Sequence, residues 1–203
     1  MKYIKSFLIY ICLLFPLTGI AQKKQLQTVR DQIKSGKELM KAENTLRGLL
    51  VDSVSKKNNK IWLLLCDALT KQYEQGNEKL YLKQKYDTAA FFSVTRRLYD
   101  TMSRFDSLDA KPDAEGRVRA KYRTKHAEFL NSIRPNLFNG GSYFIHKKDY
   151  NTAFDYYSDY LESANYPLFE GYDYMKNDAL IPHAAYWAMF LSLIHISEPT
   201  RRT

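Results

Sequence analysis

Residues 136–167, "NLFNGGSYFIHKKDYNTAFDYYSDYLESANYP", decide the fold of this protein. Apolar and aromatic residues recur there at helical spacing on both sides of the charged segment "HKKD", which predicts two helices joined by a short turn. Gly141 is placed where the two helices cross most closely, and Ala153 supplies the matching small contact on the second helix. This stretch therefore predicts a packed helix pair.

A related string precedes this pair. "YDTAAFF" at 86–92 and "YNTAFDYY" at 150–157 both read Tyr-x-Thr-Ala followed by aromatic residues. The pattern has a physical sense, because the Tyr closes the turn before a helix and the Thr lies in its first turn. The small Ala then admits a neighbouring helix, and the aromatic residues fill the space beyond. The repetition predicts more than one helix pair of one kind.

The second copy resembles the tetratricopeptide repeat. The positions that carry the resemblance are Leu137, Gly141, Phe144, Tyr150, Ala153, Tyr157 and Pro167. Gly140 and Tyr160 depart from the family's usual Leu and Ala, and Pro167 comes about two residues late. The resemblance covers 135–167 well, 59–109 loosely and 25–55 weakly. It implies an all-α fold, a tetratricopeptide-like α-solenoid of antiparallel helix pairs; a generic helical bundle is the alternative.

The rest of the chain also has helical periodicity and no clear strand pattern. We expect N-terminal helix pairs over 22–109, a linker at 110–118, and tetratricopeptide-like repeats over 119–190. Gly36 is a predicted turn, and "QGN" predicts a break or bend near Gly76. Asn58 or Asn59 is expected to cap one helix and Thr88 another.

The first 21 residues are predicted to be a cleavable signal peptide. Lys2 and Lys5 precede the apolar run "FLIYICLLFPL", which is too short to span a bilayer, and small residues lead to an expected cut after Ala21. An uncleaved anchor is the alternative. After cleavage we expect no transmembrane span and a periplasmic or secreted protein.

The net charge and the cysteine content indicate which partners and which cysteine chemistry to expect. The formal net charge is +9 over 203 residues, and the densest basic run extends from Arg117 to Lys125. On a helix these cations spread over several faces, so a solvated surface is expected rather than a binding patch. An exported protein has little access to nucleic acid, and none is expected as a partner. Cys66, the one cysteine after the signal, is predicted to be a small buried hydrophobe.

No catalytic constellation is evident. His126, His146 and His183 lack metal-ligand spacing, and there is no phosphate loop or nucleophile elbow. Asp155 and Asp159 lie one turn apart and are expected on a solvated face. We therefore expect no metal, no cofactor and no enzyme activity. The alternative is a peptidoglycan or glycan hydrolase that uses scattered acids such as Asp155 or Asp173.

The function that the resemblance implies is a binding scaffold for a protein or peptide of the cell envelope. Its concave face would be the side of the first helix that does not pack on the second. That face comprises Phe138, Asn139, Ser142, Ile145 and His146. The same positions, Phe138 and Ile145 above all, suit contact with a further repeat. A glycan-binding protein that stacks sugars on Tyr172 or Tyr174 is the other alternative.

The C-terminal segment "LSLIHISEPTR", 191–201, resembles the translation of a transposase-end sequencing adapter at all eleven positions. We therefore expect 191–203 to be derived from library preparation. On this interpretation "IPHAAYWAMF" opens a further repeat whose partner helix is missing. The repeat series would be incomplete, with an uncovered apolar face near Trp187 and Phe190.

Overall fold

The structure, a computed structural model, describes residues 22–197. These residues are mostly helical and contain no strand, so the predicted all-α class is confirmed. The expected signal peptide and its cut after Ala21 lie outside the described residues, as does 198–203. No helix within 22–197 combines the length and apolarity that crossing a membrane requires.

Nine α-helices follow one another along the described chain. They are α1 (22–35), α2 (Leu39–Leu49), α3 (Asn59–Tyr81), α4 (Thr88–Asp109), α5 (Arg123–Ile133), α6 (Pro135–His146), α7 (Tyr150–Ser163), α8 (Tyr174–Asn177) and α9 (Ile181–Ser197). Short 3-10 helices lie at Ser55–Lys57 and Pro167–Phe169. The contacts divide the described residues into two compact units, 22–72 and 73–197, with the division between Gln72 and Tyr73 inside α3.

The first unit has an apolar core that also contains buried polar side chains, among them Glu43. Its core side chains recur at three- and four-residue steps, as the sequence predicts: Val29, Leu39, Ala42, Leu46, Ile61, Leu65 and Leu69. The buried Glu43 carboxylate accepts hydrogen bonds from Arg47 at 2.9 Å and from Gln72 at 2.9 Å. Cys66 is buried among these residues, as predicted, and burial raises the pKa of its thiol.

In the second unit, α6 and α7 form an antiparallel pair. The Phe144 ring stacks on Tyr156 at 5.3 Å, and Phe138, nearly two turns earlier in α6, packs on Tyr160, one turn later in α7. α9 runs antiparallel to α7, because Trp187 stacks on Tyr157 and Asp178, just before α9, accepts a hydrogen bond from Tyr160. The order α6, α7, α9 is the part of the fold that positions the candidate site.

Three helices end in the same way. At each end one backbone N–H donates to the carbonyl five residues earlier, and the preceding N–H donates to the carbonyl three residues earlier. Gly36, Lys83 and Lys148 occupy the left-handed position of these ends, with φ of 68°, 54° and 60°. This pair of hydrogen bonds closes the C-terminus of a helix. Glycine is the residue usually found at the left-handed position of such an end. The predicted turn at Gly36 is confirmed.

The predicted break at Gly76 is wrong, because α3 continues through it to Tyr81. The glycine serves a close approach instead: a methyl group there would lie 2.9 Å from the Tyr86 ring. The predicted cap at Thr88 is also wrong by one residue. The Asp87 carboxylate accepts the backbone N–H groups of Ala89 and Ala90, and Thr88 is the first helical residue. Asn58 does cap α3, since its side chain accepts from Lys60 N–H.

The two Tyr-x-Thr-Ala strings are not structurally equivalent. Tyr86 precedes the cap of α4, whereas Tyr150 is the first residue of α7 and follows its cap, Asp149. Tyr86 packs on Gly76, whereas Tyr150 is exposed. The Tyr-x-Thr-Ala string is thus shifted by two residues relative to the helix start in α7 compared with α4.

Residues 110–122, which include the predicted linker, contain no α-helix. Beyond them α5 and α6 are separated by Arg134 alone, and Pro135 opens α6 as the sequence predicts. A proline is tolerated there because the first helical N–H groups have no partner within the helix.

Candidate binding site

The repeat-type residues of α6 and α7 converge on one contact. Leu137, Ala153 and Tyr157 are fully buried between the two helices. Gly141 lies directly under the Tyr157 ring, where an added methyl group would approach ring carbons to 2.6 Å. Gly140 lies equally close to the Tyr156 ring. Both glycines are therefore required by close packing of aromatic rings on the helix backbone.

Three of the predicted binding residues are half-buried. The Phe138 ring packs edge-on against Tyr157 at 5.2 Å and against Tyr160 at 5.8 Å. The Ser142 hydroxyl lies 3.0 Å from the Tyr157 hydroxyl. Ile145 is also half-buried. Phe138 and Ser142 thus contribute to the packing of the helix pair and present only part of their surface.

The other two predicted binding residues, Asn139 and His146, are exposed on α6. They lie two turns apart along the same helix face, because seven residues advance an α-helix by almost two full turns. Solvent exposure therefore varies across the predicted face. Phe138 and Ser142 form its half-buried edge, and Asn139 and His146 form its exposed edge.

An aromatic ladder continues this face onto α9. We use the term for Phe138, Tyr157, Trp187, Tyr186 and Phe190. Tyr157 is buried, and the half-buried Trp187 stacks on it at 6.4 Å with an interplanar angle of 15°. Tyr186 and Phe190 stack on each other beside Trp187 and are exposed. The ladder thus leads from the interior of the helix pair to solvent.

The expected solvated pair, Asp155 and Asp159, instead faces an arginine of α4. The Arg96 guanidinium contacts the Asp159 carboxylate, lies 3.5 Å from that of Asp155, and packs over the Tyr156 ring at 4.9 Å. Burial raises the pKa of Asp159, and Arg96 partly opposes that change. The expected solvated position is found for Asp155, whose side chain is exposed. It is wrong for Asp159, which is half-buried against Arg96, because the sequence expectation considered only the cations close in sequence.

Arg134 forms a second cluster that sequence reasoning missed. Its guanidinium lies between the rings of Tyr160 and Tyr174, at 3.8 and 4.0 Å, and pairs with Asp178. Burial opposes ionisation of Asp178, but hydrogen bonds from Tyr160 and Leu180 and the Arg134 charge outweigh it and lower its pKa. A signal did exist, since Arg134 interrupts the buried stripe of Leu130, Leu137 and Gly141. An arginine in an apolar stripe indicates a buried ion pair.

Acidic partners also surround the basic run. Arg117 pairs with Asp113 and Glu115, and the Arg123 guanidinium donates from Nε and Nη2 to the two Asp106 carboxylate oxygens at 2.9 and 2.8 Å. These pairings remove much of the positive potential that a polyanion would need.

The two tyrosines of the alternative glycan site differ in access. Tyr174 is buried against Arg134, and its hydroxyl donates to Asn131 at 2.6 Å. Tyr172 stacks on Tyr174 and borders a groove of about 430 Å³. The groove is also lined by Arg123, Thr124 and Glu170. Tyr174 borders a second groove of about 430 Å³, but less of its surface is exposed than that of the half-buried Tyr172.

The histidines of the described residues lie in different surroundings. Within 22–197, no three His, Cys, Asp or Glu side chains are placed to hold a metal ion. His126 is buried beside Phe105 and Tyr122, whereas His146 and His183 are exposed. Asp173 lies in a left-handed turn before α8.

Comparison with known proteins gives no match to a family model, to a curated protein or to a solved structure.

Proposed function

We propose that this protein is a non-catalytic helical-repeat scaffold of the tetratricopeptide type. It would act in the periplasm or after secretion and bind a protein or peptide segment of the cell envelope. The antiparallel α6–α7 pair and its glycine contacts support this assignment.

The aromatic ladder carries the proposal. Soluble proteins rarely leave adjacent large aromatic side chains in solvent without a binding role. Tyr186 and Phe190 are 56% and 43% exposed, and they are backed by the half-buried Trp187 rather than isolated. A rigid, preorganised aromatic surface binds apolar side chains with little loss of conformational entropy.

The α6 face supplies the polar part of the same mechanism. An extended peptide has free backbone N–H and C=O groups that need partners when it binds. The Asn139 side chain both donates and accepts hydrogen bonds, so it suits either group. The bound segment would place one or two apolar side chains on the ladder and its backbone along Asn139 and His146.

Selection from a random dodecapeptide library on residues 22–203 tests this proposal. Affinities of the selected peptides are then measured by fluorescence anisotropy for the wild type, Asn139→Ala and Tyr186→Ala. We expect both substitutions to weaken binding by about five- to thirtyfold, because each removes a direct contact worth roughly 1–2 kcal/mol.

Asn151→Ala is the matched control, since Asn151 is an exposed helical asparagine that lies outside the predicted face. It should leave affinity within twofold of the wild type. Equal loss in Asn139→Ala and Asn151→Ala, or no loss in either face variant, would count against this face.

A glycan is the second candidate ligand, on a different surface. Tyr172 offers a ring face beside the polar side chains of Arg123, Thr124 and Glu170, a combination suited to sugar rings with hydroxyl groups. Calorimetric titration with soluble peptidoglycan fragments checks this candidate. Binding that Tyr172→Ala abolishes and Asn139→Ala leaves intact would favour the glycan over the peptide.

A further inference from the structure

The turn after α3 exposes two apolar side chains within a group of lysines. Tyr81 and Leu82 are 84% and 53% exposed. Lys79, Lys83 and Lys85 flank them and are exposed as well. Amino groups that surround protruding aromatic and aliphatic side chains match the chemistry of an anionic bilayer surface.

The backbone fixes this turn in place. Gln84 N–H donates to the Lys79 carbonyl at 2.8 Å, and Lys83 N–H donates to the Leu80 carbonyl at 3.0 Å. This closure forces Lys83 into the left-handed conformation. Tyr81 and Leu82 are thus held outward by a hydrogen-bonded helix end, so their exposure is built into the fold.

The turn between α6 and α7 adds cations at the same end of the second unit. The Phe92 ring, in the second turn of α4, lies 5.5 Å from Tyr143, near the end of α6. The Lys147 amino group lies 5.5 Å from the same Tyr143 ring, and Lys148 follows it in the turn. Asp87 and Asp149, the carboxylates of the two turns, cap α4 and α7.

We propose that this lysine-rich end docks on the surface of a lipid bilayer with anionic headgroups. Tyr81 and Leu82 enter the interface between headgroups and acyl chains, and the lysines of the two turns contact the headgroup phosphates. Exposed apolar side chains at the centre of the basic group distinguish this partner from a soluble polyanion, which would leave them in water.

Co-sedimentation with sucrose-loaded vesicles tests the proposal on residues 22–203. We expect binding to vesicles of mixed phosphatidylglycerol and phosphatidylcholine, and little binding to phosphatidylcholine alone. Lys79→Gln/Lys83→Gln/Lys85→Gln should lower the partition coefficient by about tenfold or more, since each lysine near an anionic surface contributes to attachment. Tyr81→Ser/Leu82→Ser should lower it by a similar factor.

Two matched controls come from the first unit. Lys56→Gln/Lys57→Gln/Lys60→Gln removes the same charge, and Val51→Ser/Val54→Ser removes two equally exposed apolar side chains. Both should bind like the wild type. Equal weakening by the two lysine sets would show attraction to net charge alone and overturn the proposal.

An environment-sensitive fluorophore reports insertion directly. Tyr81→Cys can be labelled selectively, because Cys66 is buried, and Val51→Cys gives the control site. We expect a blue shift with anionic vesicles at position 81 and none at position 51. Absence of vesicle binding would overturn the proposal. So would heparin binding at equal affinity with no dependence on Tyr81 and Leu82, or vesicle binding that is lost only in Met189→Ser/Leu193→Ser.

Discussion

At the scale of single residues, the close contact of α6 with α7 depends on the absence of a Cβ atom at Gly141. A Cβ at this position would lie 2.6 Å from the ring of Tyr157, which is fully buried, so the helices or the ring would have to shift. We expect Gly141→Ala to lower the free energy of unfolding by about 1–3 kcal/mol, as overpacking does in other cores. Urea denaturation measures the change.

Gly48→Ala is the control for this prediction. Gly48 lies in α2 with no atom within 4 Å of an added Cβ. The substitution should leave stability unchanged or raise it by up to ~1 kcal/mol, because alanine favours a helix over glycine. A Gly141→Ala variant as stable as Gly48→Ala would refute the packing argument.

His126 makes stability depend on pH. Its Nδ1 atom is buried, and no hydrogen-bond partner lies within the described residues. Burial, helped by Lys125, lowers the pKa of the folded imidazole below its ordinary value of 6.5. The unfolded chain therefore binds the proton more readily, and this contribution to stability is lost as the pH falls below about 6.5.

We expect His126→Phe to weaken the pH dependence. Phenylalanine preserves the ring contacts with Phe105 and Tyr122 and cannot be protonated. Thermal unfolding at pH 7.5 and at pH 5.5 should show a smaller loss in the variant than in the wild type. Identical losses in both proteins would mean that other groups set the dependence.

At the scale of elements, the start of α4 depends on a carboxylate rather than on the neighbouring hydroxyl. Asp87 accepts from Ala89 N–H at 2.9 Å and from Ala90 N–H at 3.3 Å. Asp87→Ala should cost about 1 kcal/mol of stability, the usual effect of removing such a cap. Thr88→Ala should stay within about 0.5 kcal/mol of the wild type. Chemical denaturation that ranks the two variants in the opposite order would contradict this assignment.

Arg134 links α5 and α6 to α7 and to the segment before α9. Besides its pair with Asp178, it donates to the Tyr160 carbonyl at 2.9 Å. We expect Arg134→Ala to destabilise the fold by about 3–5 kcal/mol, since it leaves a nearly buried carboxylate unpaired. Arg134→Lys should restore only part of the stability that Arg134→Ala loses, because an ammonium group cannot fill the flat space between two tyrosine rings.

Arg104→Ala provides the comparison for this cluster. Arg104 also pairs with an aspartate, Asp100, at 2.6 Å, but both side chains are exposed. Its removal should change the melting temperature little, because solvent screens such pairs. Differential scanning calorimetry measures the melting temperatures. If Arg104→Ala and Arg134→Ala lowered the melting temperature by similar amounts, the proposed stabilising role of Arg134 would be wrong.

At the scale of the whole molecule, α9 has two apolar faces and buries one. Ile181, Ala184, Ala188 and Leu191 are buried, while Tyr186, Met189, Phe190 and Leu193 are exposed. An uncovered face near Phe190 was expected from the sequence and is observed. The helix continues past 190 to Ser197, but apolar residues extend a helix whatever their origin, so this does not bear on the resemblance to an adapter.

We expect residues 22–203 to self-associate through Met189 and Leu193, the exposed residues of this face that lie outside the aromatic ladder. Light scattering with size-exclusion chromatography should give a mass above that of one chain, and Met189→Ser/Leu193→Ser should lower it. Val51→Ser/Val54→Ser, which removes exposed apolar side chains elsewhere, should not. A stable monomer in the wild type would contradict the prediction.

The sequence by itself determined the all-α class and the close contact of α6 with α7, because these follow from local spacing and from small residues at fixed positions. It also identified Phe138, Asn139, Ser142, Ile145 and His146 as one face of a helix. The prediction of the α4 cap was wrong by one residue, and the predicted break at Gly76 was wrong. Both features depend on which side chain contacts which stretch of backbone, and local spacing does not show this.

The tertiary structure alone decided the long-range partners. Arg96 meets Asp159 across 63 positions, and Arg134 meets Asp178 across 44. It also decided that the ladder joins α6, α7 and α9, and that one end of the second unit carries exposed lysines around Tyr81 and Leu82. The physical reason is that periodicity fixes which residues share a helix face. The packing of one helix on another, which local spacing does not encode, fixes what that face meets.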